Sequence, residues 1–266
     1  MKVTIFTGNQ RRHFGLVNRL ALFSDEVHAV IEVPTSSREN RTDTTNGQSS
    51  ISRYMSNVRD SEKKYFPDSE ALSSTIRKTE CAAGSLSKLS PSELDEALDA
   101  DLFIVFGSSF IKGWLCDYLV EKAAINLHLG LSPYYRGSAC NFWAVNDKNP
   151  NFVGATWHLL SRGLDSGPIL IHSVPNHDGE NVFDFTMKAV AIAHSDFFQN
   201  FEKFTESAIQ PKIQNPDLEI RNSRINEFTD DVAKDFLEGD YSRDYLRNLI
   251  ENSKKPELFL VDGNSN

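Results

Sequence analysis

From residue 1 to about residue 205, short apolar runs alternate with polar turns and with stretches of helical apolar spacing. Met1 to Phe6 alternates and is rich in β-branched residues, which predicts a strand. Thr7-Gly8-Asn9 predicts a turn. Phe14, Val17, Leu20 and Ala21 recur at helical spacing over 13–23. Val27 to Val33, closed by Pro34, predicts a second strand, so the chain opens as a doubly wound parallel sheet does. The stretch 34–50 is almost wholly polar and predicts a mobile surface loop. A helix is expected over 51–65 and a strand over 75–82. Another helix is expected over 91–98, where Ser90, Pro91 and Glu93 form a start signal. LFIVF at 102–106 is fully apolar, as a central parallel strand buried on both faces must be, and Gly107-Ser108-Ser109 ends it. Beyond it the pattern predicts helix 114–122, strand 124–129, helix 138–146, strand 153–160, a glycine-bearing loop at 162–167, strand 168–174 and one long helix over 182–204. After residue 205 the texture changes. PKIQNPDLEIRNSRINEF is short and broken, and 228–252 is a charged amphipathic helical stretch. The expected fold is α/β: a Rossmann-like, doubly wound, mostly parallel sheet over 1–205, with a small C-terminal α/β appendage over 206–266.

Hydrophobic residues make up 39% of the 266 and charged residues 24%, an ordinary balance for a globular chain with a substantial core. The formal net charge is −9. Nucleic-acid binders carry a basic surplus because phosphate neutralisation dominates their affinity, so no nucleic-acid partner is expected. Cys81, Cys116 and Cys140 form no CxxC pair, which argues against a disulfide framework and a zinc site. His158, His172 and His177 show no ligand spacing either, so no metal is expected. The N-terminal run is too short for a signal peptide, and no stretch approaches the roughly 18 apolar residues of a membrane span. A cytoplasmic protein is expected, with room for a homodimer.

Residues 125–137 read INLHLGLSPYYRG. Side chains alternate across a strand, so Asn126 and His128 share one face while Ile125, Leu127 and Leu129 share the other. That aims two hydrogen-bonding groups at one small volume. In open parallel sheets ligands bind beyond the carboxyl ends of the strands. Three loops leave strand ends there: Gly8 to His13, Gly107 to Ile111, and Gly130 to Gly137. The Asp165 loop lies between two further strands and offers a carboxylate. Asn, His and Asp together suit acyl transfer to a neutral nucleophile. Asn gives an N–H to a carbonyl that becomes an oxyanion. His holds or moves a proton near neutral pH, and Asp orients and tunes it. Ser132 and Ser138 lack a nucleophile-elbow pattern, so direct transfer without a covalent enzyme intermediate is expected.

INLHLGLSPYYRG followed by LDSGPIL resembles the N10-formyltetrahydrofolate-dependent formyltransferase family, which formylates glycinamide ribonucleotide, methionyl-tRNA and amino sugars on nucleotides. The family pattern is Asn-x-His, a Leu-Leu-Pro turn ending in Arg-Gly, then Asp, a small residue and Gly. Asn126, His128 and Asp165 match the catalytic trio; Pro133, Arg136 and Gly137 match the turn. The similarity covers residues 1 to about 190. Gly130-Leu131-Ser132-Pro133 departs from the commoner Ser-Leu-Leu-Pro, at the turn that shapes the folate pocket. The resemblance implies N10-formyltetrahydrofolate as formyl donor. It implies a pterin site among Phe106, Gly107, Ser108, Phe110, Ile111, Leu131, Pro133, Tyr134, Arg162, Gly163 and Gly167, with main-chain groups of Gly107 and Asp165 as contacts. It implies attack by a primary amine through a tetrahedral intermediate, with either His128 or Asp165 as the base.

The first loop, GNQRRH, is unlike that of the tRNA enzymes. The chain also reads as too short for their C-terminal barrel, and it is acidic. These features favour a small amine acceptor, a nucleotide-linked amino sugar. Gly8, Asn9, Gln10, Arg11, Arg12 and His13 open a helix, whose free N–H groups and partial positive charge suit a phosphate. With Arg136 they are the expected acceptor contacts. Three rivals stand beside this reading: methionyl-tRNA or another amine as acceptor, a formyltetrahydrofolate deformylase in which water replaces the amine, and a catalytically silent folate- or nucleotide-binding module. The intact trio argues against the last.

Overall fold

The computed structural model describes residues 1–34 and 49–260. The polar loop expected at 34–50 therefore lies, apart from its ends, outside the described residues. In chain order the strands are β1 (Lys2–Gly8), β2 (Glu26–Val33), β3 (Arg77–Ala82), β4 (Leu102–Phe106), β5 (Ile125–His128), β6 (Tyr135–Gly137), β7 (Ala155–Leu159), β8 (Ile169–Ser173) and β9 (Arg221–Ser223). Seven of them form one sheet in the order β3-β2-β1-β4-β5-β7-β8, and β6 pairs with β9 apart from it. The pairs from β3 across to β5 are parallel. The β5–β7 and β7–β8 pairs are antiparallel. This is the expected doubly wound, mostly parallel sheet. The winding reverses between β1 and β4, so their carboxyl ends open the crevice where such sheets bind ligands.

The apolar runs explain the layers. Along β4, Ile104 and Phe106 enter one core while Phe103 and Val105 enter another on the opposite face. The first core is closed by Leu16, Val17 and Leu20 of α1 (Arg11–Leu20) and by a long helix, Val182–Gln199, carrying Val190, Ala193 and Phe197. Trp157 is fully buried there, stacked on Phe197 at 4.6 Å between centroids, with its indole N–H donated to the Ala193 carbonyl at 3.0 Å. The opposite core is closed by Leu115 and Leu119 of the helix Trp114–Glu121.

Three expected helices differ in detail. The stretch 182–204 breaks at Asn200, whose side chain donates to the Asp196 carbonyl at 2.9 Å and competes with the helical ladder. The stretch 228–252 is two helices, Asp230–Glu238 and Arg243–Asn252, each with its own hydroxyl cap, Thr229 and Ser242. The stretch 91–98 starts with a 3₁₀ turn, Pro91–Glu93, before the short helix Asp95–Leu98; Glu93 accepts from the Ser90 N–H as expected of a capping box. The segment after residue 205 is stitched to what precedes it. Lys212 bridges Ile169, β9 pairs with β6, and Phe236 and Leu246 share a core with Leu131, Tyr135 and Trp143. No described helix is long and apolar enough to cross a membrane.

Candidate active site

The register of β5 against β7 builds the site. Asn126 lies opposite His158 and His128 opposite Thr156, while Leu127 lies opposite Trp157. Alternation sends Leu127 and Trp157 into the core. The polar four therefore share the other face of the same two strands. Asn126 Nδ2 and His158 Nε2 are 2.9 Å apart, and His158 Nδ1 is 2.8 Å from the Leu159 carbonyl. A carbonyl only accepts, so His158 carries its proton on Nδ1 and presents a lone pair at Nε2. That lone pair obliges Asn126 to turn its NH₂ toward it, which fixes the amide orientation and leaves one N–H over. Burial keeps His158 neutral, its pKa pushed down to about 4 against the pull of Asp165. The 3.9 Å approach of His158 Nε2 to Asp165 Oδ1 is accordingly no ion pair.

His128 has the opposite state. Its Nε2 is 3.0 Å from the Tyr135 carbonyl and its Nδ1 is 3.3 Å from Asp165 Oδ2. Both ring nitrogens face acceptors, so only the imidazolium satisfies both. Burial lowers the pKa of His128, but the adjoining Asp165 carboxylate, the Cys140 sulfur and the Tyr135 carbonyl together outweigh it and raise the pKa. Asp165 Oδ2 also accepts from the Gly137 N–H at 3.0 Å. Residue 165 has φ +46, a left-handed conformation tolerated by Asp better than by most side chains. The trio is thus a neutral amide donor, a buried cation and a carboxylate, brought together by β5 and the β7–β8 loop.

The other expected site residues fall into distinct places. Gly107 has φ +73, and a Cβ there would lie 2.1 Å from His13 Nε2, so the ring of His13 is the reason for that glycine. A Cβ on Gly167 would meet the Leu159 carbonyl oxygen at 1.7 Å. Phe106, Ile111, Leu131 and Tyr134 are core residues, whereas Phe110 is 53% exposed. Ser108 lies half-buried beside Gly107, Pro133 is buried in the turn, and Gly163 is exposed at the start of the Asp165 loop. Arg162 points outward to Asp117 at 2.7 Å. Arg136 pairs with Glu219 of the C-terminal segment. Gly8 ends β1, Asn9 and Gln10 are exposed, and His13 is buried against Phe106. Half-buried Arg12 pairs with the buried Glu62 at 2.9 Å, and Arg11 reaches Glu70 at 3.0 Å and the Pro67 carbonyl at 3.0 Å. Among the described residues, no group of three or more His, Cys, Asp and Glu side chains is arranged to hold a metal.

No family model matches the chain. The methionyl-tRNA formyltransferase of Thermodesulfovibrio yellowstonii is 30% identical over 113 residues, covering 40% of this chain and 36% of that protein. The match spans about a third of the length of such curated relatives. A 4-N formyltransferase from Francisella tularensis superposes over 85% of this chain and 77% of its own, with TM-score 0.54 and 20% identity. The formyltransferase PseJ of Anoxybacillus kamchatkensis, solved with UDP-4,6-dideoxy-4-formamido-L-AltNAc and tetrahydrofolate, superposes over 92% and 97% with TM-score 0.52 and 16% identity. The chain shares the fold of these formyltransferases, and over 113 residues it is similar in sequence to a methionyl-tRNA formyltransferase.

Four residues that the sequence pattern passes over complete the candidate site. His158 orients Asn126. Thr156 Oγ1 donates to the Gly130 carbonyl at 2.6 Å and accepts from the Ser132 N–H at 2.9 Å, pinning the turn after β5. Glu32, buried at the end of β2, accepts from the Ser109 hydroxyl at 2.7 Å and the Gly84 N–H at 2.8 Å, and so holds the loop after β4. Gln214 donates to the Asp165 and Gly167 carbonyls. His158 alone carries a sequence signal: it alternates within ATWHL just ahead of the Asp165 loop, as His128 does within INLH.

Proposed function

We propose that the protein transfers a formyl group from N10-formyltetrahydrofolate to the primary amine of a nucleotide-linked amino sugar. The observation that carries this is the hydrogen-bond geometry of the trio. Asn126 has a spare N–H held in place by a neutral His158, which suits a carbonyl oxygen gaining charge. The His128 imidazolium adds a fixed positive charge beside it. Both nitrogens of His128 are already engaged as donors, so Asp165 is the group able to take the amine proton, through Oδ1. The amine nitrogen bonds to the formyl carbon, the bond from that carbon to N10 breaks, and N10 ends with the proton that the amine loses.

The donor site is supported by the two loops beside the trio. Phe110 and Leu164 are exposed apolar side chains on those loops, 53% and 42% accessible, and packing a bound heterocycle against either would be favourable. The acceptor's phosphates are assigned to the Gly8–His13 loop. Arg11 is the better recruit there, since its partner Glu70 is exposed while Arg12 is committed to buried Glu62. The nucleotide sugar named with PseJ supports this acceptor class. The local similarity to a methionyl-tRNA enzyme favours a tRNA acceptor instead.

One assay separates these. Formyl release from the folate is followed alone, with a panel of amino-sugar nucleotides, and with methionyl-tRNA. Release that requires an amino-sugar nucleotide is expected. Release that needs only water, or only methionyl-tRNA, overturns the acceptor. A non-transferable analogue, 5-formyltetrahydrofolate, should raise Tm by binding the native state, worth about 2.7 kcal/mol at 100 times its Kd. No shift at saturation would remove the donor site.

A further inference from the structure

We propose that Gln214 is a positioning residue for this reaction, a clamp from the C-terminal segment that holds the Asp165 turn in its working geometry. The proposal rests on Asp165 as the proton acceptor. The segment reaches the site through an antiparallel bridge. Lys212 N donates to the Ile169 carbonyl at 2.8 Å, and Ile169 N donates to the Lys212 carbonyl at 2.7 Å. That register puts Gln214 over the loop leading into β8. Its Nε2 donates to the Asp165 carbonyl at 2.8 Å and to the Gly167 carbonyl at 2.7 Å. Both partners only accept, so the amide has one possible orientation. Its Oε1 is then left buried with no donor among the described residues. A side chain that satisfies two loop carbonyls while its own oxygen goes unpaired contributes its two N–H bonds to the turn.

The turn needs them. Residue 165 sits at φ +46, where L side chains are disfavoured. Among the described residues its carbonyl is otherwise held only by the Ser132 hydroxyl at a long 3.3 Å. The peptide planes on either side of residue 165 set the direction of its carboxylate, which must meet the Gly137 N–H and His128 Nδ1 together. Releasing Gln214 frees that plane, and Asp165 drifts from His128.

The test reads this contact directly. His128 is faced by Asp165 from the β7–β8 loop, by His158 from β7, by the Cys140 thiol and by the Tyr135 carbonyl. Of these, only Asp165 is tied to Gln214. The titration of the His128 ring is followed by NMR in the full chain, in Gln214→Leu, in Gln214→Glu and in an Asp165→Asn control. The control should lower the His128 pKa toward its ordinary value, and both Gln214 variants should lower it part of the way. Turnover in the Gln214 variants should fall about tenfold to a hundredfold, the cost of roughly 1 Å of misplacement, with both KM values held. An unchanged His128 titration in both Gln214 variants, beside a shifted control, overturns the clamp. An unshifted control overturns the pairing of Asp165 with His128 and the clamp with it. Shifted titrations in a chain that transfers no formyl group leave the clamp standing and sink the functional reading. Failure of both Gln214 variants to fold makes the residue a structural one and also overturns the proposal.

Discussion

Asn126 and His158 act as one unit, because the first can present its spare N–H only while the second keeps its proton on Nδ1. On the proposed mechanism Asn126→Ala should slow turnover about 10²–10³-fold, the usual loss for one oxyanion donor. His158→Ala should cost a large part of the same factor, although it touches no reacting atom. The double variant should be little worse than Asn126→Ala alone, since residues sharing one hydrogen-bond network do not add. Additive losses in steady-state kcat would break the pair apart. Asp165→Asn keeps the size and removes the charge, so the fold should survive while turnover collapses. A folded Asp165→Asn variant with unaltered turnover would exclude Asp165 as the base.

At the scale of elements, what could be read from the sequence follows from the range of the interaction. The β1-turn-α1-β2 opening, the fully apolar β4 and the polar pair on β5 are local patterns, with periods set by the backbone itself, and they are present in the fold. The placement of Asn126 and His128 on one face of β5 was legible through alternation. Alternation within ATWHL marks His158, but its pairing with Asn126 was not legible, nor were Glu32 and Gln214, because each acts across a register or bridge joining distant stretches: β5 to β7, β2 to the loop after β4, and Lys212 to Ile169. The opening of α1 shows the same limit. Gly8, Arg11 and Arg12 read as a phosphate cradle, yet Arg12 lies against Glu62 on the helix Ser50–Tyr65, a contact the sequence does not announce. The two arginines should therefore behave differently. Arg12→Ala leaves the Glu62 side chain, only 5% exposed, without its cation, and should destabilise by about 3–5 kcal/mol in urea denaturation. Arg11→Ala loses a pair with an exposed Glu70 and should change stability by less than about 1 kcal/mol. If the loop holds the acceptor's phosphate, Arg11→Ala should still raise the acceptor KM roughly tenfold, a charge-assisted hydrogen bond being worth about 1.5–3 kcal/mol. An unchanged KM in a stable Arg11→Ala protein moves the phosphate elsewhere.

At the scale of the whole molecule, the buried histidines divide the pH axis. Burial drives His158 and His172 down to about 4 and His194 to about 3, and lowers His13 well below its ordinary value. All four fold as neutral rings, while the unfolded chain protonates them near pH 6.5. Unfolding therefore takes up protons below that pH, and stability falls as pH falls. Each histidine contributes a slope of up to about 1.4 kcal/mol per pH unit, so the four together approach about 5.5. Lowering the pH below about 6.5 should therefore destabilise the fold progressively. His128 works in the other direction. Its folded pKa is raised, so its contribution is complete below pH 6.5 and fades as pH rises through the raised value. Stability should accordingly peak at about pH 7 and decline on both sides. The decisive variant is His194→Leu. His194 is 3% exposed, and its Nε2 has no partner among the described residues, so leucine removes a titrating group without removing a hydrogen bond from that atom. Urea denaturation across pH 4–9 should show the acid-side slope reduced by about one proton, or about 1.4 kcal/mol per pH unit, with the alkaline side unmoved. An acid slope that stays at its original value in His194→Leu would mean that this ring is not held neutral by the fold.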